Sequence, residues 1–337
     1  MLKKLAILLR NVSLALAIAL VGLWGCGALY FASLPVAGLD VVAAVLFGAA
    51  ALTASLGAFS KRYRWRALLF FAPLVALFAV WWSTIEPSLD GDWLPEVAQL
   101  PYAEIEGDIV TVHNVRNFDY RSQTDFTPRY ETRAYDLRRL RGVDLFSVYW
   151  MGPDIAHVIL SFDFGDGQPL AISIEARKRR GQGYSSLRGF FRQYELIYIV
   201  ADERDVIRLR TNYRLDPPEE VYRYRLAAKP EKARRIFLEY LKEINELRDT
   251  PAFYNTLITN CTTQVWFISR INTDHVPFSW KLLASGHVPE YLYEQGRLDT
   301  SVPFEQLRER GHINARARAV DDIEDFSRAI RVATPAP

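Results

Sequence analysis

The chain has 337 residues, 50% apolar and 24% charged, with a formal net charge of +2 at pH 7. That near-balance says little about partners, nothing in the sequence marks nucleic-acid binding, and two cysteines are too few for a disulfide framework. The length suggests about two units, and most of the first 85 residues are hydrophobic, whereas the remainder has the composition of a water-exposed domain.

Three apolar stretches come first, at 11–31, 39–59 and 67–85. Each has about the 20 residues a helix needs to cross a hydrocarbon core of about 30 Å, and none carries an internal charge. Lys3, Lys4 and Arg10 precede the first stretch, the loop at 34–40 has no cation, and Lys61, Arg62, Arg64 and Arg66 lie between the second and third. Cations stay on the cytoplasmic side, so the N-terminus is expected inside and everything after Glu86 outside. Trp81 and Trp82 stand where an interfacial aromatic belt ends the third span. Leu23-Trp24-Gly25-Cys26 loosely resembles a processing site, but a Trp beside the small residues fits one poorly. A membrane anchor at 1–86 is expected, with a linker at 87–104 containing Pro87, Pro95 and Pro101.

The domain expected at 105–298 starts with strand-like residues 105–115 and a polar run at 117–133. Strands are predicted at 144–150, 156–164 and 170–176, the last two forming a hairpin around Gly165-Asp166-Gly167. A basic loop at 177–192 follows, then strands at 195–201, 206–212 and 221–226. Pro230 suits the first turn of an amphipathic helix at 230–247, whose apolar stripe contains Ala233, Ile236, Phe237, Tyr240, Leu241, Ile244 and Leu247. A second helix is predicted near 260–272, and a polar, partly helical tail at 299–337. Strands followed by helices indicate an α+β domain.

Thr259-Asn260-Cys261-Thr262-Thr263 carries the chemistry. Asn260 is a good N-cap, which puts Cys261 in the first helical turn, where the dipole favours a thiolate. The bland alternative is a buried, inert cysteine. A thiol nucleophile needs a base; of His113, His157, His275, His287 and His312, the first two sit on predicted strands, and His157 is chosen because a base on a rigid strand holds its geometry best, a purely structural strand residue being the alternative. If the hairpin turns at Asp166-Gly167, residues near 175 lie opposite His157. Glu175 is then the orienting partner, with Ser173 second on the same face and a surface salt bridge the alternative use of Glu175. Arg177, Lys178, Arg179 and Arg180, with Arg188 and Arg192, form a cationic loop suited to lipid phosphates or simply to a solvated face; Arg188 and Arg192 are the expected substrate contacts. The histidines lack metal-ligand spacing, and no cofactor motif appears.

Val112 to Phe118, Ile155-Ala156-His157, Ile172 to Arg177, Phe191 to Glu195 and Asn260 to Thr263 together resemble the periplasmic domain of the Lnb-type bacterial lipoprotein N-acyltransferases, over about 101–283. That resemblance implies a permuted papain-like fold of the NlpC/P60 kind, in which histidine precedes cysteine. It makes Cys261 the acyl-accepting nucleophile, His157 its base and Glu175 the third member. The family's acyltransferases carry membrane helices after this domain, whereas here three spans precede it, which leaves substrate and reaction open. The expectation is an inner-membrane protein with a periplasmic thiol acyltransferase domain acting on phospholipid or lipoprotein acyl groups. A cysteine amidase or peptidase of the cell envelope and a non-enzymatic envelope binding domain are the alternatives.

Overall fold

The computed structural model describes residues 2–32, 34–165, 167–321 and 325–331. Contacts divide the chain into two units: 1–87 together with 185–193, and 88–184 together with 194–337. Asp166, the middle of the expected hairpin turn, lies outside the described residues.

The first unit consists of three helices, α1 (Leu2–Tyr30), α2 (Leu39–Gly57) and α3 (Arg64–Ser83). By length and composition each is able to cross a membrane, and all three coincide with the apolar stretches. Small residues let α1 and α2 approach closely: a Cβ at Gly22 would stand 2.4 Å from that of Ala51, and one at Gly25 would meet the Phe47 ring. The segment 185–193 belongs to this unit. Phe191 is buried there and stacks on Phe31 at 5.4 Å between ring centroids, over the bare backbone of Gly27.

The second unit is built on an eight-stranded sheet. Its strands are β1 (Tyr102–Glu106), β2 (Ile109–Arg116), β5 (Tyr130–Asp136), β6 (Gly142–Tyr149), β7 (Ala156–Asp163), β8 (Leu170–Arg177), β9 (Glu195–Asp202) and β10 (Glu220–Arg225). Their order is β1-β2-β9-β8-β7-β6-β10, with β5 paired to β2; the two-residue strands β3 (Asp119–Tyr120) and β4 (Phe126–Thr127) pair separately. The strand expected at 105–115 is present as β2 from Ile109 onward, but its first residues belong to β1 and a turn, because Gly107 adopts φ +62° between the two strands.

Helices cover both faces of the sheet, as strands buried on two sides require. On one face, α5 (Pro230–Asp249) and α6 (Cys261–Ser269) pack over Val158, Leu160, Ile172 and Ile174 together with α7 (Val288–Glu294). The other face, with Ile159, Ala171, Ile197 and Ile199, carries α4 (Glu203–Arg208), then α9 (Asn314–Ala319) and α10 (Phe326–Ala329), which lie beyond α8 (Phe304–Gly311) in sequence. Trp93 and Val97, in the expected linker, and Ile313, Ala317 and Phe326, in the expected tail, are buried in this second cluster. Their apolar side chains complete a core that the sheet alone leaves open.

The strand expected at 206–212 does not form. Residues 203–208 are α-helical and 209–213 continue as a π-turn. Asp202 caps the helix by accepting from the Arg204 amide, with Glu203 and Asp205 in the first turn. The alternation of Ile207, Leu209 and Thr211 with Arg208 and Arg210 imitates a strand, but 205–211 are buried without a break.

Candidate active site

The register of β7 on β8 pairs Ile159 with Ser173 and Leu160 with Ile172. Two residues further along, the same register brings Glu175 opposite His157, as the hairpin expectation required. Side chains on one face then form a chain. His157 Nε2 lies 2.7 Å from Ser173 Oγ, and Ser173 donates to Glu175 Oε1 at 2.8 Å. Both residues weighed as the histidine's partner are therefore used, Ser173 as the bridge and Glu175 beyond it. Nε2 and Glu175 Oε1 themselves are 3.7 Å apart.

A residue the sequence reading missed anchors this chain. Arg210 donates to Glu175 Oε1 at 3.0 Å and to Glu219 Oε2 at 3.2 Å, and Arg214 donates to Glu219 Oε1 at 3.0 Å. It escaped notice because it lies in the turn misread as a strand; the helix-start signal Asp202-Glu203-Arg204-Asp205 was the available clue. Burial alone would raise the Glu175 carboxyl. The charge of Arg210, aided by His157, Arg214 and Arg116, overrides that and holds it well below the ordinary carboxylate range. Burial first, and then Arg210, push His157 down to about 3 against the pull of Glu175.

These charges set the tautomer. An ionised Glu175 only accepts, so Ser173 donates to it, and the Ser173 oxygen accepts from His157. Nε2 then carries the proton of the neutral imidazole, and Nδ1 is the basic nitrogen.

Cys261 comes from the other side of the fold. Asn260 caps α6 by accepting from the Thr262 and Thr263 amides at 2.9 and 3.0 Å, and its own amide donates to Thr263 Oγ1 at 3.1 Å. This capping box fixes Cys261 as the first helical residue. The Val158 amide, one residue past His157, hydrogen-bonds the sulfur, and Thr262 Oγ1 lies 3.8 Å from it. These contacts favour the thiolate, but burial outweighs them and raises the thiol. The helix tip is where the sequence put it; the depressed thiol pKa expected there is not found, because a dipole within the first turn is weaker than the loss of solvation at a packed sulfur. Strand alternation turns Val158 toward α6 and His157 toward Ser173. Among the described residues no hydrogen bond joins Sγ to the imidazole.

The remaining histidines are engaged elsewhere. His113 stacks on Tyr102 at 4.3 Å, His287 contacts Asp154 at 2.9 Å and His312 contacts Glu220 at 2.5 Å. His275 Nδ1 lies 3.1 Å from the Asn272 carbonyl. Groups of three or more His, Cys, Asp or Glu able to hold a metal do not occur among the described residues.

The cationic loop is mostly committed within the protein. Arg177 is buried over Trp93, donating to the Val97 and Ala98 carbonyls, while Arg179 pairs with Glu195 and Arg180 with Asp92. Arg192, an expected substrate contact, donates to the Trp82 and Ile85 carbonyls at 2.7 and 3.0 Å and lies over the Trp82 ring. It thereby satisfies carbonyls at the α3 C-terminus, which lack intrahelical donors. Arg188 is exposed, near the Phe31 ring.

Residues 126–286 match the family model described as the Lnb N-terminal periplasmic domain. His157, Ser173, Glu175, Arg210 and Cys261 all fall within the match, whereas His113 does not. Among curated proteins and solved structures, no significant match to the chain was found.

Proposed function

With residues 126–286 belonging to the Lnb N-terminal periplasmic domain family, in a membrane protein with three apolar N-terminal helices, we propose that this chain is a thiol acyltransferase acting on phospholipid or lipoprotein acyl groups. The observation that carries the reading is the Arg210–Glu175–Ser173–His157 chain, which leaves Nδ1 unprotonated on the residue preceding Val158, whose amide hydrogen-bonds Cys261. Such a chain orients a general base in the manner of a catalytic triad.

The Cys261 sulfur adds to the carbonyl carbon of an acyl ester as its proton passes to His157 Nδ1. The C–O bond breaks, and the departing alcohol oxygen takes that proton. An acceptor amine then attacks the thioester, the C–S bond breaks, and the amine's proton returns to sulfur through His157. Positive charge on the imidazole during each transfer is stabilised by Glu175 through Ser173. Catalytic hydrogen bonds that are long without substrate tighten in the complex, and this reading requires Nδ1 to reach Sγ in that way.

By the distribution of loop cations, the N-terminus is cytoplasmic and the enzyme domain faces the periplasm from the inner membrane. A second reading, a non-catalytic binding domain, draws on the raised thiol of Cys261. The test is incubation of the purified full-length protein with labelled phospholipid and a diacylated lipopeptide. An acyl adduct on Cys261, lost in Cys261→Ser and chased onto an amine, is expected. Peptide cleavage without an adduct would indicate a hydrolase, and no product of either kind a binding domain.

A further inference from the structure

The face of the sheet that carries α6 holds a cavity of about 140 Å³, room for on the order of ten water-sized groups. Its walls are built by the periodicity of each element. From α6 come Thr262, Val265, Trp266 and Ser269, one helical stripe; β7 contributes Val158 and Leu160, alternate residues of one strand face; Ile236 of α5 and Leu292 of α7 line it too. Its polar lining includes Asp274, which pairs with both Lys232 and Arg297, all three half-buried.

Interiors close-pack, and leaving this much apolar surface unfilled forfeits dispersion contacts. A largely apolar space with a few polar groups is the usual form of a small-molecule site. Its position decides the occupant. Two of its wall residues, Val158 and Thr262, are the chain neighbours of His157 and Cys261, and the Val158 amide holds the sulfur. A hydrocarbon chain in the cavity therefore has its carbonyl end available to the thiol.

We propose that this cavity binds the alkyl chain of the acyl group, with the carbonyl at the Val158–Thr262 wall and the tail among Ile236, Val265, Trp266 and Leu292. The inference rests on the acyltransferase reading for the meaning of the carbonyl end, but chain binding is separable from chemistry. The cavity then measures chain length, since each methylene seated in it raises affinity about fourfold and one beyond its end adds nothing.

The experiment uses full-length protein in detergent and a decanoate analogue bearing a diazirine near its terminal methyl. Crosslinks are expected on Ile236, Val265, Trp266 or Leu292, equally in wild type and Cys261→Ser. Ile236→Trp, which fills the cavity, should cut crosslinking at least tenfold and shift competition toward shorter unlabelled fatty acids. Val265→Ala, which enlarges it, should shift competition toward longer ones. Crosslinks confined to other surfaces, or unchanged chain-length preference in both variants with unchanged melting temperature, would overturn the proposal. Crosslinking at these residues without any acyl adduct on Cys261 would sustain the chain site and remove the acyltransferase reading instead.

Discussion

Ser173 accepts the Nε2 proton of His157 across 2.7 Å. Among the described residues this hydroxyl links the histidine to Glu175 at hydrogen-bonding distance, because the carboxylate lies 3.7 Å from the ring nitrogen. Ser173→Ala should therefore release the ring and slow thioester formation on Cys261 by about 10- to 100-fold, the usual effect of losing an orienting partner. Ser173→Thr keeps the hydroxyl and should retain most of the rate. Adduct formation followed by mass spectrometry decides, and equal rates in Ser173→Ala and wild type would show that the bridge does not orient the base.

The depressed His157 makes stability depend on pH in a definable window. Its folded value is about 3 against 6.5 in the unfolded chain, so between these values the unfolded chain binds a proton that the folded one refuses. The contribution is fully present above pH 6.5 and is lost as pH falls toward 3, at a limiting slope of about 1.4 kcal/mol per pH unit. Urea midpoints taken between pH 7 and pH 5 should fall in the wild type and fall less in His157→Gln. Identical profiles for the two would mean that the histidine is not buried in its neutral form.

Much of this site was legible from local pattern, and the part that was not has one cause. The β7–β8 hairpin reads from its alternation, which carried His157, Ser173 and Glu175 to one face, and α6 reads from Asn260 and the residues after it. Arg210 did not read, because a buried arginine in a stretch such as Val206 to Asn212 imitates the outward-facing member of a strand. Only tertiary structure reveals that its charge is turned inward to two carboxylates. The pKa of Cys261 failed for a related reason: the sequence displays the helix tip, but the desolvation that outweighs it comes from packing on a distant part of the chain. Trp93 and Phe326 likewise sit in stretches whose composition reads as linker and tail, yet both are buried against the sheet.

Arg210 is the residue whose loss should damage the fold most within the site. Its side chain is 5% exposed and stands between Glu175 and Glu219, which are 22% and 8% exposed. Arg210→Met leaves both carboxylates facing each other without it, and removal of one member of a buried ion network costs about 3–5 kcal/mol. The double variant Arg210→Met/Glu175→Gln removes one of the stranded charges and should recover part of that loss. Chemical denaturation of the three proteins gives the comparison; a single variant as stable as wild type would show that the network is not buried in solution.

The N-terminus of α6 gives a prediction that separates the position of the sulfur from its acidity. Asn260→Ala removes the acceptor of two amide hydrogen bonds, a loss of about 1 kcal/mol for a typical N-cap, while Asn260→Asp preserves the acceptor and adds a negative charge one residue from Cys261. Because burial raises the thiol, iodoacetamide should react slowly with Cys261 near neutral pH and faster as pH rises past 9, where thiolate accumulates. Asn260→Asp should displace that rise to still higher pH, since a neighbouring anion disfavours the thiolate. Asn260→Ala should instead speed alkylation at neutral pH, because fraying of the first turn exposes the sulfur. The pH profile of alkylation for the three proteins, read by mass spectrometry at Cys261, distinguishes these outcomes. Fast wild-type labelling at pH 7 would mean that the dipole of α6 prevails over burial after all, and that the thiol is already activated before substrate arrives.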